Sequence, residues 1–149
     1  MPGAVENDLL VLLHDVARQM RTYVDAEAQS LGLTRAQLII LARLQRQPDI
    51  SQSELATVAE VAQMTIARLI DRLEELGLVE RCHDPKDRRI WRLRLTPAAA
   101  PLLRQIDRFR AKLHTAVTKG IEPAVLEDMA VGLRQMKKNV SSRLAEAHT

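Results

Sequence analysis

Apolar residues recur along this chain at the spacings of amphipathic helices, interrupted once by a strictly alternating stretch. Leu9, Leu13, Val16, Met20, Val24 and Leu31 return at intervals of three, four or seven residues, which predicts one buried face of a long first helix closed by Gly32. Thr34 is a good N-cap for a second helix, with Leu38, Leu41, Ala42 and Leu44 inward, stopped by Pro48-Asp49. Ser51 and Glu54 form an S-x-x-E capping box for a short third helix carrying Leu55, Ala56 and Val58. After a turn at Ala59 to Ala62, the stripe Ile66, Leu69, Ile70, Leu73 and Leu76 predicts a helix from about Gln63 to Leu76. This leaves Thr65, Arg68, Arg72 and Glu75 on its other side and Gly77 as its stop.

The pattern then changes period. Trp91, Leu93 and Leu95 alternate with Arg92 and Arg94, so Leu78 to His83 and Ile90 to Leu95 are predicted strands of a β-hairpin with Trp91, Leu93 and Leu95 inward. Thr96-Pro97 reads as the cap and first turn of a helix bearing Leu102, Ile106, Phe109, Leu113 and Val117, ending near Gly120. Pro123 opens a last helix in which Leu126, Met129, Leu133, Met136, Val140 and Leu144 follow steps of three and four residues, close to a coiled-coil seam. That seam can be covered by the chain's own first helix or by a second subunit, and the general preference of soluble proteins for twofold homodimers favours the second.

Composition narrows the class. With 149 residues the chain can bury one core without disulfides or metal, and only 2% aromatic residues favours helices over a large sheet. The fold class expected is mainly α: a winged helix-turn-helix with a small β-hairpin wing and long terminal helices. No run of 18 apolar residues is present and the lone Cys82 has no internal partner, so a cytoplasmic protein is expected. The histidines His14, His83, His114 and His148 have no ligand spacing, and no phosphate-cradling glycine loop or nucleophile elbow occurs. Neither a metal nor a cofactor nor catalysis is therefore expected. Net charge is only +3, but Arg81, Lys86, Arg88, Arg89, Arg92 and Arg94 crowd into the hairpin against Asp84 and Asp87. Placement of charge, more than its sum, points to DNA phosphates.

The ordered set Gly32-Leu33-Thr34, Gln52-Ser53-Glu54-Leu55-Ala56, Arg68 to Arg81, Asp84-Pro-Lys-Asp-Arg-Arg89 and Leu95-Thr96 resembles the MarR (multiple antibiotic resistance regulator) family, most closely its SlyA-like branch, over nearly the whole chain. The resemblance implies a single domain, 1–149, with a DNA-binding lobe at 34–96 and a helical dimerisation region formed by 1–33 and 97–149. It implies a homodimeric transcription regulator whose recognition helices enter successive major grooves of a near-palindromic double-stranded operator.

By that resemblance Met64, Thr65 and Arg68 reach base edges and Arg72 lies nearer the backbone, unless it pairs with Glu75 or Asp71. Arg68 is the principal base reader, since a guanidinium can bond guanine bidentately. Arg88 would enter the minor groove, Asp87 would hold Arg88 or Arg89 as an ion pair, and Lys86 and Arg89 would touch phosphate. The chain departs from the family pattern at Glu60, where glycine is common in the turn, at Ala62, where Ser or Asp is a frequent cap, and at Ala99.

His14, Arg18, Arg21 and Asp25 share one stripe of the first helix, either a solvated face or part of an effector site. Arg18 and Arg21 match the arginines that hold the carboxylate of salicylate-type ligands in SlyA-like relatives, and Leu38 and Ala42 match pocket positions. The effector implied is a small aromatic carboxylate, or a bulkier acyl thioester because Leu38 and Ala42 leave more room. The reactive cysteine of peroxide-sensing relatives would align near Leu10, where this chain has no thiol. Cys82 is either a small structural residue or a thiol activated by basic neighbours. Two other classes remain open: a sequence-indifferent architectural DNA-binding protein, and a regulator controlled by a protein partner.

Overall fold

The computed structural model describes residues 5–147, so His148 lies outside the described residues. The chain forms two compact units, Met1–Phe109 and Arg110–Thr149. In the first, helix α1 (Leu9–Ser30) begins at Asp8, whose carboxylate accepts the N–H groups of Leu10 and Val11, and closes before Gly32 at φ 72°. Helix α2 (Arg35–Arg46) starts with a complete Thr34/Gln37 capping box, and helix α3 (Gln52–Val58) with the predicted Ser51/Glu54 box. These reciprocal bonds satisfy amide donors that no helical turn can reach, which is why both starts are sharp.

Glu60 occupies a left-handed conformation, φ 56°, in the turn after α3, which explains why glycine suits that place. Helix α4 (Gln63–Glu75) follows from Ala62, which provides no side-chain cap, and Gly77 ends it at φ 72°. Strands β1 (Val79–His83) and β2 (Trp91–Leu95) pair antiparallel with Val79 opposite Leu95 and His83 opposite Trp91. A third edge was not foreseen. The Asp49 N–H donates to the Leu93 carbonyl and the Leu93 N–H to that of Ile50, so the turn after α2 lies along β2.

Two predicted details are corrected. Trp91 shares the sheet face of buried Leu93 but is 38% exposed, stacked on the His83 ring and outside the core. Thr96 holds the N-cap position with Pro97 in the first turn, as expected, but its side chain caps no amide. Its hydroxyl donates to the Gly77 carbonyl and its N–H to that of Leu78, so a short turn (Pro97–Ala99) precedes helix α5 (Ala100–Val117).

The core of this unit is aliphatic. Ile40, Leu41 and Leu44 of α2, Leu55 of α3, Ile66, Ile70 and Leu73 of α4, Leu93 of β2 and Ile106 of α5 are buried together. Each such side chain contributes about 1.5–3 kcal/mol when fully buried, which explains how few aromatic rings suffice. In the second unit, helix α6 (Pro123–Ala147) has no buried residue. Leu126 and Met136 are half-buried, and Met129, Leu133, Val140 and Leu144 are exposed. Among the described residues no helix is long and apolar enough to cross a membrane.

Candidate nucleic-acid interface

One face of α4 is anchored and the other is open. Ile66, Ile70 and Leu73 are buried, whereas Met64 (73% exposed), Thr65, Arg68 and Arg72 face outward. Arg72 pairs with Glu75 at 3.2 Å, the helix salt bridge that the sequence left open. Among the described residues Arg68 has no ion pair or side-chain hydrogen bond, so its donors are available to a ligand.

The wing is organised by two carboxylates. Asp84 Oδ1 accepts the backbone N–H groups of Lys86 and Asp87 at 2.8 and 2.9 Å, and Oδ2 accepts Arg92 Nε at 2.8 Å. Asp87 holds Arg89 bidentately, through Nε and Nη2 at 3.0 Å each, and accepts the Arg89 N–H. The partner of Asp87 is thus Arg89 and not Arg88. Lys86 and Arg88 stay exposed, with no side-chain partner among the described residues. At the wing's base the rings of His83 and Trp91 stack at 4.1 Å, and His83 Nδ1 lies 2.9 Å from the Arg88 carbonyl. A carbonyl only accepts, so Nδ1 carries the proton.

The crowd of basic residues in the hairpin is not a uniform DNA-facing patch. Arg81 is bonded to Asp71 and Glu74, Arg92 to Asp84 and to the Asp49 carbonyl, and Arg94 to Asp49. Arg81 and Arg94 are occupied by carboxylates from outside the hairpin, and Arg92 by one within it. The free cations of α4 and the wing reduce to Arg68, Lys86 and Arg88 among the described residues.

The Arg92 guanidinium, helped by the two wing amides, holds the Asp84 carboxyl below its usual value of 3.8, and Arg89 does the same for Asp87. A depressed folded value means that their contribution is complete above the ordinary carboxylate range and is lost as pH falls through the depressed values. Trp91, the chain's one tryptophan, reports on the wing. Its emission is expected to change below about pH 4 as Asp84 and Asp87 protonate, with Asp84→Asn showing an altered signal already at neutral pH. An unaltered Asp84→Asn signal at neutral pH would show that this carboxylate does not hold the wing.

Along α1, His14 and Arg18 are exposed, and Arg18 pairs with Asp15 at 3.2 Å, while Arg21 is half-buried without an ion pair among the described residues. Asp25 pairs with Arg35 at 3.4 Å. Leu38 packs into the core and Ala42 is half-buried. Cys82 is half-buried opposite Arg92. Among the described residues no group of three or more His, Cys, Asp or Glu could hold a metal ion.

Comparison with known proteins accounts for this arrangement. The model of the MarR family matches residues 33–91, from the start of α2 to the wing. The fold is similar to the crystal structure of the transcriptional regulator SlyA, with 30% identity over 91% of this chain and 96% of that one and a TM-score of 0.77. It is similar to the crystal structure of MarR, with 32% identity over 91% and 95% of the two chains and a TM-score of 0.68. A MarR-family transcriptional regulator from Silicibacter pomeroyi matches at 26% identity over 91% and 92%, with a TM-score of 0.83. At 30% and 32% identity to SlyA and MarR over about nine-tenths of this chain, this protein belongs to the MarR family of transcription regulators, which are DNA-binding proteins and not enzymes.

Proposed function

We propose that this chain is a cytoplasmic homodimeric repressor that occupies a near-palindromic operator and excludes RNA polymerase. The lobe at 34–96 would bind DNA, and the helical segments 1–33 and 97–149 would pair two subunits. The carrying observation is the contrast in α4 and the wing: Arg72, Arg81, Arg89, Arg92 and Arg94 are held in ion pairs, whereas Arg68, Lys86 and Arg88 are exposed with open donors among the described residues. Arg68 reads a base in the major groove, with Met64 and Thr65 beside it and Arg72 toward the backbone. Arg88 enters the minor groove, Lys86 meets phosphate, and Asp87 fixes Arg89 at the phosphate edge.

Binding of the purified protein to DNA from upstream of its own gene, against a scrambled duplex at physiological salt, tests this. A preference of about a thousandfold or more is expected. Arg68→Ala is expected to lose about 1–3 kcal/mol of discrimination at one base pair while leaving scrambled DNA almost unaffected. Lys86→Ala should weaken all sequences alike and reduce the salt slope by about one. Equal losses on every sequence for Arg68→Ala would remove it as a base reader, and near-equal binding by wild type would favour a sequence-indifferent architectural protein.

Release would come from a small anionic ligand, an aromatic carboxylate or related acyl thioester, held by Arg21 and Arg18 near His14, Leu38 and Ala42. Arg21 supports this, being half-buried without an ion pair among the described residues, whereas Arg18 must first leave Asp15. Such a ligand weakens DNA binding only by preferring a dimer with misplaced recognition helices, so ligand and DNA affinities oppose each other reciprocally.

A further inference from the structure

Arg81 stands apart from the other hairpin arginines. Its side chain is 14% exposed, and the planar guanidinium is shared among two helices while its backbone belongs to β1. Nε donates to Gln52 Oε1 on α3 at 2.9 Å, and Nη2 donates to the Ala67 carbonyl on α4 at 3.0 Å. Nη1 donates to Asp71 Oδ1 at 2.7 Å and also to Glu74, both on α4. The Arg81 backbone N–H donates to the second oxygen of Glu74 at 3.3 Å. One side chain therefore ties the wing strand to both helices of the helix-turn-helix.

We propose that Arg81 is a positioning residue for DNA readout: its fork fixes the angle between α4 and the wing, so that Arg68 and Arg88 engage adjacent grooves in one register. The inference rests on the operator-binding reading above. The geometry favours it for three reasons. Arg81 is too enclosed to meet DNA itself. The Ala67 carbonyl that it holds belongs to the peptide leading directly into Arg68. And the rigid, planar arrangement of donors in arginine satisfies partners in several directions at once, which the point charge of lysine on a flexible stem cannot. The same guanidinium also offsets one of the two negative charges of Asp71 and Glu74 on the helix that approaches phosphate.

The test is Arg81→Lys, which keeps the charge and removes the fork. Full-length wild type and variant are titrated with the operator and with a scrambled duplex of equal length, and thermal unfolding is followed in parallel. Operator affinity is expected to fall about tenfold, the size of one lost base contact. Scrambled affinity should stay within about twofold, because phosphate attraction is unchanged.

A purely structural role would lower the folded fraction and weaken both duplexes by the same factor, leaving their ratio intact. That result, or an unchanged ratio at unchanged stability, overturns the proposal. If wild type itself fails to prefer the operator, the operator reading has failed, and the proposal with it, before the variant is considered. Should Arg81→Lys not melt cooperatively, Asp71→Ala at an exposed site of α4 keeps Arg81 and releases one of the bonds that its fork makes to that helix. A drop in the ratio of about fivefold, one hydrogen bond's worth, is then expected. An unchanged ratio for Asp71→Ala overturns the proposal.

Discussion

Leu133→Asp is expected to leave the protein monomeric and to weaken operator binding by at least about a hundredfold, the scale of avidity lost when two linked half-site contacts become one. Leu133 lies in the apolar seam of α6 and is 45% exposed, as are Met129, Val140 and Leu144 to similar or greater degrees. A helix of 25 residues with no buried side chain gains little from its own chain, and its seam becomes favourable only when covered. Regulators of this family are generally dimeric, and a twofold interface would present each substituted position twice. Two carboxylates forced into an apolar contact each cost several kcal/mol of desolvation without a partner.

Sedimentation velocity gives the oligomeric state, and Trp91 emission gives the integrity of the first unit, which should remain native. A variant that sediments with wild type and binds the operator equally well would show that this seam is not the dimer contact.

The helices were legible in the sequence because their causes are local. The Ser51/Glu54 box, the apolar stripe of α4 and the stop at Gly77 each depend on residues within one or two turns, and each appears where it was expected. The edge formed by Asp49 and Ile50 along β2 was hidden because it joins segments more than forty residues apart, with nothing in either to announce the other. The same limit governed the charges. Asp87 and Arg89 are two residues apart, so their pairing could be anticipated, whereas Arg94 finds Asp49 across 45 positions. Arg81 could have been suspected, since Asp71 and Glu74 are spaced by three on one helix face and a sharp turn at Gly77 brings β1 back beside them. Counting arginines in the wing therefore overstated the charge available to DNA. What decides availability is which carboxylates the fold delivers, and those come mostly from outside the wing.

Ile70→Ala is expected to cost about 2–5 kcal/mol of stability, a large share of the 5–15 kcal/mol typical of a whole domain. Ile70 is 0% exposed on the inner face of α4, between Ile66 and Leu73, so the lost methyl and methylene groups leave a cavity that close-packed neighbours fill only in part. For a chain of this size the melting temperature should fall by about 5–15 °C. The effect on DNA separates the two faces of the helix. Arg68→Ala removes donors and leaves the core whole, so it changes the ratio between operator and scrambled affinity at nearly constant stability. Ile70→Ala leaves every DNA-facing side chain in place and lowers only the population of molecules that present them, which weakens both duplexes by one factor, most visibly near the new melting temperature. Differential scanning calorimetry with paired titrations well below that temperature would distinguish them. If Ile70→Ala instead lowered the operator-to-scrambled ratio as Arg68→Ala does, while melting close to wild type, the inner face of α4 would be tuning readout directly, and the division between an anchored and a reading face would be wrong.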